Sequence, residues 1–247
     1  MSFNLKTRNR QSELMDDPLI NDSDHRQALQ GLRRVNRLSR TESAVWRQIR
    51  RLPLSRTTEQ TLTILDIASG GGDLAIRLAQ TAQRKRVSIA IDGCDISQTA
   101  VEYATEQTSA AGLANVRFHL CNALEQPLPK VHYDVVMCSL FLHHLSTKDS
   151  VTLLRKMKSA ATQLVLIDDL RRTPLGYWMA WVGCRLLTRC RVVHTDGPMS
   201  VEGAFTIDEA RDIAEQAGLT GVSIDRHWPQ RFVLTWSPTR GDTHARC

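Results

Sequence analysis

The sequence predicts an α/β domain: a doubly wound, mainly parallel sheet with a C-terminal antiparallel strand pair and an N-terminal helical extension. Three observations lead there. From about Gln60 onward, apolar runs alternate with segments of helical period, the pattern of a parallel sheet wrapped by helices. The runs are continuous rather than alternating, so both faces of the sheet are expected to be covered. The first run, Ile64 to Ile67, passes through Gly70, Gly71 and Gly72 and re-enters a helical pattern at Asp73. Glycine there permits positive φ and removes the Cβ that would hold a ligand off the main chain. The helix start just beyond offers unpaired N–H groups.

In chain order, residues 1–21 are polar and irregular and read as a partly ordered lead-in. From Asp22, the apolar positions Leu29, Leu32 and Val35 step at helical spacing. A second helix is predicted to open at Ser39, with Glu42 three residues on as a capping box, and to close at Pro53. In it Val45, Trp46, Ile49 and Leu52 share one side, and Arg47, Arg50 and Arg51 the other. Strands are expected at 61–67, 87–94, 116–121, 133–139 and 164–168, with helices at 73–83, 97–112 and 148–162 between them. Ser97 caps the second of these helices. Leu175 to Leu187 is helical in composition and apolar nearly all round, with Tyr177, Trp178 and Trp181. Thr206 and Glu209 form a capping box for a helix that stops at Gly218. Residues 222–227 and 231–236 close the sheet as the antiparallel pair, and Pro229 fits only in their connection.

Composition bounds the function. With 247 residues, 42% of them hydrophobic, the chain suffices for one α/β domain plus additions. Its six cysteines lie far apart, with no C-x-x-C and no Cys/His zinc spacing. Reduced thiols in a cytoplasmic protein, and no metal, are therefore expected. The N-terminus has no apolar signal region, and the longest uncharged apolar stretch, 173–184, is too short to span a bilayer. The net charge of +6 is uneven: between Gln30 and Arg56, the arginines 33, 34, 37, 40, 47, 50, 51 and 56 face Glu42 alone. Such a basic face suits nucleic acid, an anionic membrane, an acidic partner or plain solvent.

Ligands of a sheet of this kind gather at the carboxyl ends of its strands, where the strand order reverses. Four motifs fall there in succession. Asp66, Ala68, Ser69, Gly70 and Gly72 belong to the first loop; Asp95 and Ile96 end the second strand, where an acid can accept both hydroxyls of a ribose. Asn122 and Ala123 follow the third strand, and Ser139 ends the fourth, ahead of His143 and His144. Together these resemble the class I S-adenosylmethionine-dependent methyltransferases, over roughly residues 58–247. The resemblance implies a Rossmann-like fold with S-adenosyl-L-methionine as cofactor, its amino-acid end against the glycines, its ribose on Asp95 and its adenine at Asn122. Ala68 stands where that family has its first glycine. Asn122 stands where the family commonly has Asp; it keeps an acceptor oxygen and loses the charge. A dinucleotide fits less well, because Asp73 at the helix start would repel a diphosphate, whereas a sulfonium tolerates an acid nearby.

The same resemblance divides the chain into a helical cap, 1–58, and a cofactor-binding domain, 59–247, with 170–203 as a substrate-covering insertion. Within the class, the chain looks most like the ubiquinone/menaquinone methyltransferases. The stretches 13–18, 25–39 and 168–177 also resemble a bacterial subset that occurs beside type III polyketide synthases. That implies a phenolic, pyrone-like or quinone-type acceptor, apolar and hydroxylated, methylated on oxygen.

Methyl transfer is a displacement at an electrophilic carbon, so the enzyme mainly aligns acceptor, methyl and sulfur. A hydroxyl acceptor also needs a base or a polarising group. His143 and His144 after strand four, and Asp168 and Asp169 after strand five, are the candidate catalytic residues, a histidine as base and an acid as its orienting partner. The competing expectation has one histidine capping the loop while the acids pair with Arg171 and Arg172. Tyr177, Trp178 and Trp181 suggest a wall or lid for a flat acceptor, or core packing against the N-terminal helices. Two other functions compete. The Arg-rich segment allows an RNA or DNA methyltransferase, although no N-P-P-Y-type tetrapeptide follows strand four; a non-catalytic S-adenosylmethionine-binding protein is the other. Peripheral membrane contact through the basic amphipathic helix near 39–53 is compatible with the enzyme reading.

Overall fold

The computed structural model of the protein describes residues 5–16, 20–53 and 61–238. One sheet organises them. Its strands are β1 (Leu62–Ile67), β2 (Ile89–Asp95), β3 (Val116–Leu120), β4 (Tyr133–Ser139), β5 (Ala161–Leu170), β6 (Ser223–His227) and β7 (Arg231–Trp236), in the order β3-β2-β1-β4-β5-β7-β6. The first five strands are mutually parallel. β7 inserts antiparallel between β5 and β6. From β1 the chain runs outward to β3 and then returns to start again at β4, so a crevice opens at the carboxyl ends of β1 and β4. The fold is thus the doubly wound α/β class expected from the sequence.

The helices are α1 (Asp22–Leu38), α2 (Thr41–Ile49), α3 (Asp73–Lys85), α4 (Gln98–Ala110), α5 (Thr147–Ala160), α6 (Pro174–Leu187), α7 (Arg191–Gly203) and α8 (Ile207–Gln216). Each face of the sheet buries its own core. Leu65, Ile67, Val136, Val165 and Phe232 pack with α5 and α8 on one side; Ile64, Val135, Leu164, Leu166 and Val233 pack with α2 and α3 on the other. Period-two alternation along each strand divides these two sets. α1, α6 and α7 pack on one another and cover the carboxyl edge.

Several local expectations are corrected. The capping box at Ser39 does not form: Ser39 ends α1, its hydroxyl donating to Asn36 O at 2.7 Å, and α2 starts from Arg40 in a left-handed conformation. Tertiary demand overrides the local motif, because the neighbouring Thr41 hydroxyl accepts from the buried Arg231 guanidinium at 2.5 Å. α5 stops at Ala160 and β5 begins at once, running to Leu170. Pairing with β7 extends it, so Asp168 and Asp169 sit inside the ladder opposite Val233 and Phe232. α7 was not expected from a stretch containing Gly197 and Pro198. Gly197 lies so close to α6 that a Cβ there would overlap Cys184 Sγ, so the glycine is what lets α7 pack this closely on α6.

Residues 5–16 are the ordered part of the lead-in, tied to the body of the protein by hydrogen bonds. Arg8 donates to the carbonyls of Gly203 (2.6 Å), His143 (2.8 Å) and Leu145 (2.7 Å), and Asp196 accepts from the backbone of Leu14 and Met15 at 2.9 and 3.1 Å. The apolar side of α2 is consumed inside the protein, with Val45 and Ile49 fully buried and Trp46 and Leu52 packed against the same core. A membrane role for that side is therefore ruled out by geometry. Arg56 and Cys247 lie outside the described residues.

Ala68 adopts φ +54°, the left-handed region where a Cβ crowds the following carbonyl. Alanine is small, yet the backbone shows that the position asks for glycine. Ala68→Gly is expected to raise the unfolding free energy by about 1 kcal/mol, measured by chemical denaturation without ligand.

Candidate active site

The glycine turn at the end of β1 is built for close approach. Gly72 has φ +75° as the residue preceding α3, and a Cβ there would lie 2.6 Å from the Phe118 ring. Gly70 N donates to Asp95 Oδ2 at 2.8 Å, and Ser97 N to Asp95 Oδ1 at 2.9 Å, so the β2 acid is oriented by two backbone groups. Ser69 N donates to Cys94 O at 3.0 Å. Beside Asp95, Ile96 is 70% exposed. Asn122 Oδ1 accepts from Leu124 N at 3.0 Å, closing the turn that holds Ala123. Burial, with Asp95 adding to it, pushes the Asp66 carboxyl up to about 8. Burial also raises Asp73, to about 6, against the pull of Arg33 and Arg77.

The second half of the site hangs on β5. Asp168, fully buried, accepts from Ser139 Oγ at 3.1 Å and from Arg231 Nη1 at 3.5 Å, and its other oxygen lies 2.5 Å from His227 Nε2. Arg231 in turn donates to Thr41 Oγ1 and, at 3.1 Å, to Asn36 Oδ1. Ser139 is thus committed to Asp168. Asp169 points to the other face of the sheet and grips His143 twice, through its backbone N–H (3.0 Å) and Nδ1 (2.7 Å). Neither acid pairs with Arg171 or Arg172. Arg172 instead forks onto Glu209 and donates to the carbonyls of Leu5 and Ala204, and Arg171 donates to Gln230.

Sequence reasoning missed Glu13. Its carboxylate lies 3.5 Å from His143 Nε2 and 3.7 Å from His144 Nε2 and accepts from Ser200. The donor atoms of Glu13, His143 and His144 all fall within 4.8 Å of one another, close enough for one proton or one cation to be shared. Burial works against charge on His143, yet Asp169 first and Glu13 next hold its imidazole protonated up to about 10. The only sequence signal for Glu13 was its place at the head of the 13–18 stretch.

One cavity of about 970 Å³ joins the two halves. Its floor is the β1 turn with Asp66, Gly70 and Asp95, and His143 and His144 stand further along it. α1 contributes Leu29, Leu32 and Val35, and α6 contributes Met179, Cys184 and Leu187. The predicted aromatic wall is not there: Trp178 and Trp181 project outward, 57% and 39% exposed. The period of α6 turns Met179 and Gly183 inward instead.

A doubly wound sheet with a glycine turn, a β2 acid and a cavity at the strand ends is the arrangement that the sequence resemblance implies. Residues 64–163 match the family described as a methyltransferase domain, in line with the resemblance to the class I S-adenosylmethionine-dependent methyltransferases. Among curated relatives, it is 28% identical over 109 residues to the ubiquinone/menaquinone biosynthesis C-methyltransferase of Shewanella sediminis, 42% of each chain. It is 36% identical over 83 residues to the 27-O-demethylrifamycin SV methyltransferase of Amycolatopsis mediterranei, 33% of this chain and 29% of that one. The chain spans less than half the length of these relatives. Among solved structures, an S-adenosylmethionine-dependent methyltransferase from Aquifex aeolicus matches 89% of this chain and 100% of its own, at TM-score 0.60 and 18% identity. A family 2 O-methyltransferase from Planctomyces limnophilus, in complex with apigenin, matches 91% of this chain and 63% of its own, at TM-score 0.61 and 15% identity.

The Asp168–Arg231 pair supports the site without meeting the solvent. Arg231→Met leaves a buried carboxylate with a missing partner and is expected to lower stability by about 3–5 kcal/mol, read from the denaturation midpoint; a loss under about 1 kcal/mol would mean that His227 and Ser139 suffice.

Proposed function

We propose that the protein transfers the methyl group of S-adenosyl-L-methionine to the oxygen of a small, apolar, hydroxylated ring compound, a phenol, pyrone or quinol. One observation carries the reading: a single cavity runs from the glycine turn and Asp95 to the His143–His144 pair, with aliphatic walls between. Asp66, Ala68, Ser69, Gly70 and Gly72 cradle the amino-acid end of the cofactor, Asp95 takes its ribose, and Ile96, Asn122, Ala123 and Ser139 border its nucleoside. Residues 1–58 serve as a cap over the cofactor-binding domain 59–247, with 170–203 covering the acceptor. His143, its two ring nitrogens engaged by Asp169 and Glu13, positions Glu13 beside His144. His144, 18% exposed and lining the same cavity, takes the acceptor proton. Asp169 positions His143, and Asp168 holds the strand ends in register. The match to a rifamycin O-methyltransferase and the apigenin-bound neighbour support a small acceptor. The resemblance of 13–18, 25–39 and 168–177 to enzymes found beside type III polyketide synthases supports a polyketide-type one. The five described cysteines are free and buried, which suits a cytoplasmic setting.

Turnover of labelled cofactor against phenols, pyrones, quinols and RNA tests the reading. Methyl transfer to RNA alone would refute it, and binding of cofactor with no turnover on any class would make the protein a binding module. His144→Ala is expected to lower kcat about 100-fold with the affinity for S-adenosylhomocysteine unchanged. Near-normal turnover of both His143→Ala and His144→Ala at saturating cofactor would remove the base assignment.

A pH effect follows from Asp66. Its carboxyl is neutral below about 8, while the ammonium of the cofactor's amino-acid end favours the carboxylate, so binding must expel a proton at lower pH. Affinity for S-adenosylhomocysteine by calorimetry should therefore rise roughly tenfold per unit between pH 6 and 8 and then level off. Asp66→Asn should flatten the profile.

A further inference from the structure

α6 is apolar on two sides, and only one is covered. Met179, Ala180, Gly183, Cys184 and Leu187 line the cavity. The opposite side carries Leu175, Trp178, Trp181, Val182 and Leu186, all exposed, Leu186 at 78%. Steps of three and four residues set these on one stripe. A helix that is apolar all round is ordinarily buried, and an open stripe of this length marks a docking surface. The two indoles lie edge to face at 5.9 Å.

Charge indicates what covers it. From Leu170 to Thr195 the chain holds Arg171, Arg172, Arg185, Arg189 and Arg191 and no acid. Arg172 is consumed by Glu209, but Arg189 and Arg191 are exposed. Arg185 lies within the stripe itself, its guanidinium 4.1 Å from the Trp181 ring centroid. A second copy packed by two-fold symmetry would bring this acid-free stripe against itself, with no carboxylate to meet the arginines. An anionic lipid surface satisfies all three residue types: acyl chains receive the leucines and valine, indoles sit at the headgroup boundary, and arginines reach lipid phosphates.

We propose that the outer face of α6 docks on an anionic bilayer surface. One wall of the cavity would then stand against lipid, giving an apolar acceptor a short path out of the membrane. That consequence rests on the proposed function; the docking itself does not. Nothing spans the bilayer in this arrangement, since no helix among the described residues is long and apolar enough to cross one.

The test uses the full chain with vesicles of phosphatidylcholine alone and of phosphatidylcholine mixed equally with phosphatidylglycerol. Co-sedimentation with the mixed vesicles, and a blue shift of tryptophan emission, are expected at low salt. Partitioning should fall about tenfold or more on neutral vesicles or in high salt. The double variant Trp178→Ser, Leu186→Ser should lose about tenfold or more on mixed vesicles. Arg185→Glu with Arg189→Glu should lose about as much. Circular dichroism checks that both variants stay folded. Wild-type protein left in the supernatant, or variants that bind as well as wild type, would overturn the proposal. So would sedimentation velocity showing a dimer that Trp178→Ser, Leu186→Ser dissociates, with no vesicle binding; the stripe would then belong to a second copy. Vesicle binding without methyl transfer would count against the proposed function alone.

Discussion

Two consecutive carboxylates at the end of one strand fix most of this architecture. Side chains of adjacent strand residues point to opposite faces, so Asp168 and Asp169 cannot serve the same cluster. Each is buried and each needs its own cation, because an uncompensated charge in a protein interior is strongly disfavoured. On one face Arg231 supplies it, and through Thr41 and Asn36 that pair fastens α1 and α2 to the sheet. On the other, His143 supplies it and draws in Glu13. A slip of β5 by one residue against both β4 and β7 would exchange the two acids between faces and dismantle both clusters.

The cavity is therefore a joint product of distant parts of the chain. The sheet offers the glycine turn and the histidines, but Leu29, Leu32 and Val35 of α1 and Met179, Cys184 and Leu187 of α6 add to the apolar wall. The carboxylate between the histidines comes from residues that precede the first helix. Arg8 binds this segment to the strand-four turn, with its guanidinium 3.7 Å from the Phe205 ring centroid. Three carbonyls accepting from one side chain make a stronger clamp than the polar look of residues 5–16 implies.

Legibility in the sequence followed the range of the forces involved. The strands of the parallel sheet, the turn at 70–72, the Ser97 cap and the Thr206–Glu209 box were readable because local pattern and tertiary structure agree there. The Ser39 box failed because a buried arginine far along the chain claimed the adjacent threonine. α7 was hidden by Gly197 and Pro198, which read as breakers unless the α6 surface beneath them is known. The two aspartates and two histidines were found as candidates, but their pairing was not: Arg171 and Arg172 are their neighbours in sequence, while Arg231 and Glu13 are their neighbours in space. The orientation of Trp178 and Trp181 was equally invisible, since a helix apolar on both sides gives no clue to which side turns inward.

The anchoring of residues 5–16 and 20–38 ties the shape of the chamber to one stretch of chain. The sheet, its turn and its buried acids form one unit, and the N-terminal arm joins it through Arg8 and through Asn36. Exchanging that arm alone would reshape the chamber's ceiling and its proton chemistry together.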